Sequence, residues 1–142
     1  MTVERVTEAS DELVEAFARL MPQLSPDREG PGPAELAEVI AAPGTVLLVA
    51  RDDREIVGTL TLLVFRVPTG VRAWIHDVVV DEAARGRGVG EALTREAMRL
   101  AEVADADSVH LTTRPQREAA NRLYRRLGFT PHDTNVYVWR PE

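Results

Sequence analysis

The sequence predicts an α/β (α+β) fold, a mixed and mostly antiparallel central sheet flanked by helices. Three observations carry this. Thr45 to Ala50 and Glu55 to Val67 are rich in β-branched and apolar residues and are separated by the polar bend Asp52-Asp53-Arg54, which signals a hairpin. A third such run, Trp74 to Val80, follows the turn Val67-Pro68-Thr69-Gly70. Beyond it come a helical pattern and a further short strand, so an antiparallel run feeds a β-α-β unit.

Taken in order, Val3 to Val6 is expected as a first strand. Ser10 is a suitable N-cap for a helix whose apolar face is Leu13, Val14, Phe17, Leu20 and Met21, with Pro22 as its stop. The stretch PQLSPDREGPGP is a loop. A second helix opens at Pro33, turns Leu36, Val39 and Ile40 inward and stops at Ala42-Pro43-Gly44. Gly58 inside the second hairpin strand marks a bulge. After the third strand, Val89, Leu93, Ala97 and Leu100 recur at helical spacing. A polar turn at Ala104 to Asp107 leads to a strand at Val109 to Thr112. Gln116 to Leu127 forms a last helix, with Ala120, Leu123, Tyr124 and Leu127 on one face. Gly128 is its expected C′ residue, with Phe129 folding back. A final strand is expected at Asn135 to Trp139. No linker or repeat interrupts the pattern, so residues 1–142 are expected to form one domain.

Composition narrows the function. Hydrophobic residues make up 44% of the chain, and it contains no cysteine. Thiolate metal sites and enzyme-thioester chemistry are thereby excluded, and no other metal-ligand pattern appears. With no apolar run of membrane length and no basic-then-apolar leader, a cytoplasmic location without membrane contact is expected. The net charge of −6 argues against nucleic acid. The acidity lies in the first half: residues 1–71 hold 6 Arg against 12 acids, and residues 72–142 hold 11 against 11. The locally basic second half suits a polyphosphate ligand.

The stretch Trp74 to Ala101 supplies a place for it. A glycine-spaced loop, Arg85-Gly86-Arg87-Gly88-Val89-Gly90, opens directly into a helix, whose first N–H groups are unpaired at the positive end of a dipole. This is no P-loop, because the chain contains no lysine. Nor is it a dinucleotide fingerprint, because Glu91 stands where the third glycine belongs. The loop resembles the acetyl-CoA motif of the GCN5-related N-acetyltransferases, [Gln/Arg]-x-x-Gly-x-[Gly/Ala], here on Arg85, Gly88 and Gly90. Leu123-Tyr124-Arg125-Arg126-Leu127-Gly128-Phe129 is similar to that family's second signature, and the element order matches over essentially the whole chain.

The resemblance implies an acyl-CoA N-acyltransferase fold and acetyl-CoA as co-substrate, with no metal. It implies that Val78, Val79 and Val80 offer backbone groups to the pantetheine arm, and that the N–H groups of Arg85, Gly86, Arg87, Gly88, Val89 and Gly90 lie under the pyrophosphate. It places Asn121 and Arg126 at cofactor-contacting positions and makes Tyr124 the proton donor to the departing thiolate. Arg117 stands where some members carry a further Asn. The base that deprotonates the amine is drawn from the central strands, here His76 or Asp77. Imidazole is the side chain that titrates nearest neutrality. Strict alternation puts His76 and Asp77 on opposite faces unless a bulge intervenes. The block Trp74-Ile75-His76-Asp77-Val78-Val79-Val80 is similar to that of the glucosamine-6-phosphate N-acetyltransferases, with His76 replacing their Glu. Arg114, Asn135 and Tyr137 are candidate acceptor contacts. The acceptor is expected to be a small primary amine, such as an amino sugar or an amino-acid-like compound. The alternatives are a protein or peptide N-acetyltransferase and a non-catalytic CoA-binding module. A homodimer is expected from the same resemblance and from the apolar last strand.

Overall fold

The computed structural model describes residues 1–142, which divide into two compact units, Met1–Thr112 and Thr113–Glu142. In the first, β1 (Thr2–Arg5), β2 (Thr45–Asp52), β3 (Glu55–Val67), β4 (Gly70–Val80) and β5 (Ser108–His110) form one sheet in sequence order. All neighbours are antiparallel except β4 and β5, which are parallel and joined through α3 (Val89–Val103).

The helices α1 (Asp11–Leu24) and α2 (Pro33–Ala41) cover one face of the sheet. Leu13, Ala16, Phe17, Leu20, Met21 and Leu36 pack there with Leu47, Val49, Ile56 and Val79. The opposite face belongs to α3: a Cβ on Gly58 would lie 2.9 Å from Val89 Cγ1 and 3.1 Å from Leu93 Cδ1. Pairing carries that face from Gly58 to Ala50, and alternation carries it on to Leu48, Leu60 and Leu62, then by pairing to Ile75. Val89, Leu93, Thr94, Ala97 and Ala101 are the buried positions of α3, and Ala101 takes the place expected of Leu100, which is half-buried.

Ser10 caps α1 as expected, its Oγ accepting from Leu13 N at 3.1 Å. The helix does not stop at Pro22 but continues to Leu24. A proline one turn from the end removes a single i→i−4 bond, and the burial of Leu20 and Met21 in the core outweighs that loss. The bulge expected at Gly58 is present one residue earlier. Ala50 pairs with Gly58 and Arg51 with Ile56, which leaves Val57 as the extra residue.

The second unit contains α4 (Glu118–Arg126). Its end is a Schellman motif: Phe129 N donates to Tyr124 O at 2.9 Å and Gly128 N to Arg125 O at 3.1 Å, with Gly128 at φ +99°. Phe129 folds back as expected, meeting the Tyr124 ring edge-on at 5.7 Å between centroids. The final strand expected at Asn135 to Trp139 is absent, and these residues are exposed. Alternation and β-propensity favour a strand, but a strand also needs a ladder partner, and this segment pairs with none.

Candidate active site

Past the middle of the sheet, β4 loses its regularity. Thr59 pairs with Val79, yet Thr61 pairs with His76, so β4 carries one residue more than β3 between these points. The extra residue lies at Asp77-Val78, and Asp77 has φ +51°, a left-handed conformation that Asp tolerates better than most residues. This is the bulge on which the relation between His76 and Asp77 depends. The two stand side by side where the strand changes phase, and both are exposed.

The other edge of β4 is open over the same stretch. β5 pairs only with Arg72, Ala73 and Trp74, so from Ile75 to Val80 no strand lies beyond β4. A strand edge without a neighbour presents unpaired N–H and C=O groups. Across Val78, Val79 and Val80, the main-chain groups that are not turned toward β3 are left at this edge, while the Val79 side chain is buried in the α1/α2 core.

The strand runs directly into the glycine loop. Asp81 N donates to Val57 O at 2.8 Å, and Asp81 Oδ1 accepts from Ala83 N, capping a one-turn 3-10 helix at Glu82–Ala84. Two residues of α1 grip this corner. Arg19 donates to Asp81 Oδ2 at 2.5 Å and to Ile56 O at 3.1 Å, and Gln23 Oε1 accepts from Glu82 N at 2.8 Å. Burial pushes the Asp81 carboxyl up, but the Ala83 N–H and the Arg19 guanidinium outweigh it and hold the group below the usual aspartate value. Sequence spacing carries no sign of the Arg19–Asp81 pair, whose members are 62 positions apart.

Gly86 and Gly88 have φ of +81° and +78°, and a Cβ on either would meet nothing within 4 Å. Their requirement is conformational, and the space before them is open. Gly88 is the N-cap of α3, whose first intrahelical bond is Ala92 N to Gly88 O at 3.0 Å. The N–H groups of Val89, Gly90 and Glu91 thus precede the helical ladder and face the helix start. An open strand edge followed by glycines that leave clear space at a helix N-terminus fits a phosphate-bearing arm such as that of acetyl-CoA. Arg85 is exposed. Arg87 is held by Asp52 at 3.0 Å and by Ala83 O at 3.3 Å.

In the second unit, Tyr124 is the buried residue of α4. Burial raises its phenol above the ordinary tyrosine value, and the charge of Arg117 opposes this only in part. Asn121 spends both protons of its amide on its own helix start, donating to Arg114 O at 3.0 Å and Arg117 O at 2.8 Å. Its Oδ1 is what it can offer a ligand. Arg114, Arg126, Asn135 and Tyr137 are exposed. A groove of about 450 Å³ in this unit is lined by Thr113, Glu118, Asn121, Arg122 and Arg125, among others.

Comparison with known proteins agrees with this geometry. The profile of the Acetyltransferase (GNAT) family matches residues 10–129. A probable glucosamine 6-phosphate N-acetyltransferase 2 of Oryza sativa subsp. japonica is 33% identical, over 95% of this chain and 86% of its own. A mycothiol acetyltransferase of Beutenbergia cavernae is 32% identical over 61% of this chain, which spans only 29% of that relative's length. Among solved structures, a putative acetyltransferase from Agrobacterium tumefaciens str. C58 superimposes with a TM-score of 0.86 at 27% identity, covering 99% of this chain and 100% of that one. With the matched region taking in the bulged strand, the glycine loop and the tyrosine helix alike, the chain belongs to the GNAT family of acetyltransferases.

Proposed function

We propose that the protein is an acetyl-CoA-dependent N-acetyltransferase acting on a primary amine of a small molecule, with an amino sugar or amino-acid-like compound as acceptor. The observation that carries this is the continuity of three elements: the unpaired edge of β4 from Ile75 to Val80, the corner at Asp81, and the left-handed glycines that open α3. Together they match a long, thin ligand with amides along one part and phosphates along the next.

Acetyl-CoA supplies an activated acetyl thioester. The main chain of Val78 to Val80 binds the amide-bearing arm, and the N–H groups of the Arg85–Gly90 loop and first turn of α3 receive the pyrophosphate. An ammonium has no lone pair, so the acceptor must first lose a proton, and His76 or Asp77 at the bulge accepts it. A new N–C bond forms as the C–S bond breaks, and the second proton that the nitrogen sheds on becoming a neutral amide leaves to solvent, from which Tyr124 is reprotonated. The tyrosine hydroxyl of Tyr124, kept protonated by burial, gives its proton to the departing sulfur. Asn121 and Arg126 are proposed as further cofactor contacts, and Arg114, Asn135 and Tyr137 as acceptor contacts.

We further infer a homodimer. Val136, Tyr137, Val138 and Trp139 are 67%, 88%, 64% and 85% exposed, a run of apolar surface that association would cover. Sedimentation at micromolar concentration reads this directly.

The transferase reading is tested by thiol release from acetyl-CoA across a panel of amines. The chain has no cysteine, so every thiol detected comes from the co-substrate. Release dependent on a small primary amine is expected. Release only with peptide N-termini would move the acceptor to the protein class, and none with any amine would remove the enzymatic reading.

A further inference from the structure

Trp74 and His110 form the last matched pair of the β4–β5 ladder, and their rings stack with centroids 5.0 Å apart and planes 18° from parallel. His76 stacks on the same indole at 6.2 Å and 22°. The register fixes the face on which this row lies. Trp74 is opposite Leu63 and His76 opposite Thr61, and Thr61 is opposite Leu47, a member of the α1/α2 core. The ring row therefore stands on the α1/α2 face but beyond the packed part of it. Trp74 and His110 are half-buried and His76 is exposed.

Place gives the row its meaning. It crosses the point where β4 and β5 part company, and it ends at the bulge, where Asp77 adds an exposed carboxylate. A stack serving only the core would be covered, whereas this one has an exposed imidazole at its end. Indole is the best of the side chains for laying against a flat apolar or weakly cationic partner. A carboxylate next to it attracts an ammonium.

We propose that Trp74, His76 and His110 form an acceptor shelf for a primary amine carried on a flat-faced ring, with the ring against Trp74 and the ammonium toward His76 and Asp77. As a statement about the acceptor it rests on the acetyltransferase reading, and it makes Trp74 a specificity-determining residue. Sugar and aromatic rings share the required flat, C–H- or π-bearing face, so the test separates them.

The chain has two tryptophans, so in a Trp139→Phe background Trp74 is the single indole. Titrating that protein, with CoA present, with glucosamine, 2-phenylethylamine and n-butylamine reads the shelf without turnover. A saturable fluorescence change with either ring amine and not with butylamine is expected; glucosamine alone identifies a sugar face, phenylethylamine alone an aromatic one. In turnover, Trp74→Leu should lower the ratio of kcat/KM for the ring amine over that for butylamine at least tenfold, and Trp74→Phe should restore most of it. No saturation with either ring amine, or an unchanged ratio in a folded Trp74→Leu protein, overturns the shelf while leaving the transferase intact. Saturation without turnover of any amine keeps the shelf and removes the transferase. Should Trp74→Leu not fold, the titration decides alone.

Discussion

Ile75 and Val79 lie an even number of residues apart on one strand, yet they face opposite sides of the sheet. Ile75 pairs with Leu62 on the α3 face, and Val79 pairs with Thr59 and packs under α1. Strict alternation forbids this, and the extra residue at Asp77-Val78 permits it. The phase change lets the first part of β4 serve one core and the last part the other. It also turns the main chain at the point where the proposed chemistry takes place.

The backbone conformation of Asp77 is separable from its carboxylate. Asp77→Gly keeps the left-handed turn and removes the charge, so it should leave folding stability and acetyl-CoA affinity nearly unchanged. Asp77→Val puts a β-branched residue at positive φ, at a cost of about 1–3 kcal/mol, and should lower both. Thermal melts and calorimetry on the pair read the difference. Loss of turnover in a well-folded Asp77→Gly protein would make the carboxylate, not His76, the proton acceptor.

Gly88→Val should abolish acetyl-CoA binding while the protein stays folded. A side chain at Gly88 meets no protein atom, so its penalty in the free protein is conformational, about 1–2 kcal/mol for a left-handed non-glycine residue. Its main effect falls on whatever occupies the open space before α3. Calorimetric affinity unchanged in the folded variant would remove the loop from the phosphate site.

His76→Ala should slow turnover most near neutral pH and lose much of its penalty in alkaline solution, where the amine arrives already deprotonated. The pH–rate profile is the measurement. An unaltered profile would shift the proton to Asp77 or to water.

Tyr124→Phe should lower kcat by about 10²–10⁴-fold, the usual contribution of a general acid, with little change in acetyl-CoA affinity. The ring stays against Phe129. The raised phenol also predicts an alkaline signature. The folded protein keeps a proton that the unfolded chain loses at about pH 10, so this contribution to stability is complete below that pH and is lost as pH rises through the folded value. Melting curves of Tyr124→Phe should lack that alkaline component. A Phe variant that turns over normally but melts far lower would make Tyr124 a packing residue.

At the acid end, Asp81 works in the other direction. Its folded value is depressed, so its contribution is complete above the unfolded value of about 3.9 and is lost as pH falls through the folded one. Arg19→Ala should therefore weaken the acid dependence of stability. It should also raise KM for acetyl-CoA with little change in kcat, because Arg19 holds the corner that presents the loop. Equal losses in both constants would place it elsewhere in the mechanism.

Local chemistry was legible in the sequence, and what depends on distant partners was not. Ser10, Gly128 with Phe129, and the glycines of the loop announce caps and turns through neighbours within a few residues. The Asp77 bulge could be posed as a condition but not asserted, because a bulge is a relation between two strands. Pro22 reads as a stop in the sequence, because core burial of the neighbouring residues is invisible to propensity. The segment Asn135 to Trp139 has the pattern of a strand but no ladder, and pattern cannot supply a partner. Both amide protons of Asn121 go to carbonyls of its own helix start, an internal use that a motif match cannot distinguish from ligand contact.

The open edge of β4 has a consequence for how this protein can vary. A peptide group donates and accepts identically whether its residue is valine, isoleucine or threonine. Substitutions at Val78 or Val80 that keep the strand should pass unnoticed in an alanine scan, although these positions are proposed to hold the arm of the co-substrate. The ring row at Trp74 has no such immunity. A scan that scores only side chains would therefore map the proposed acceptor shelf and miss the main chain proposed to hold the co-substrate.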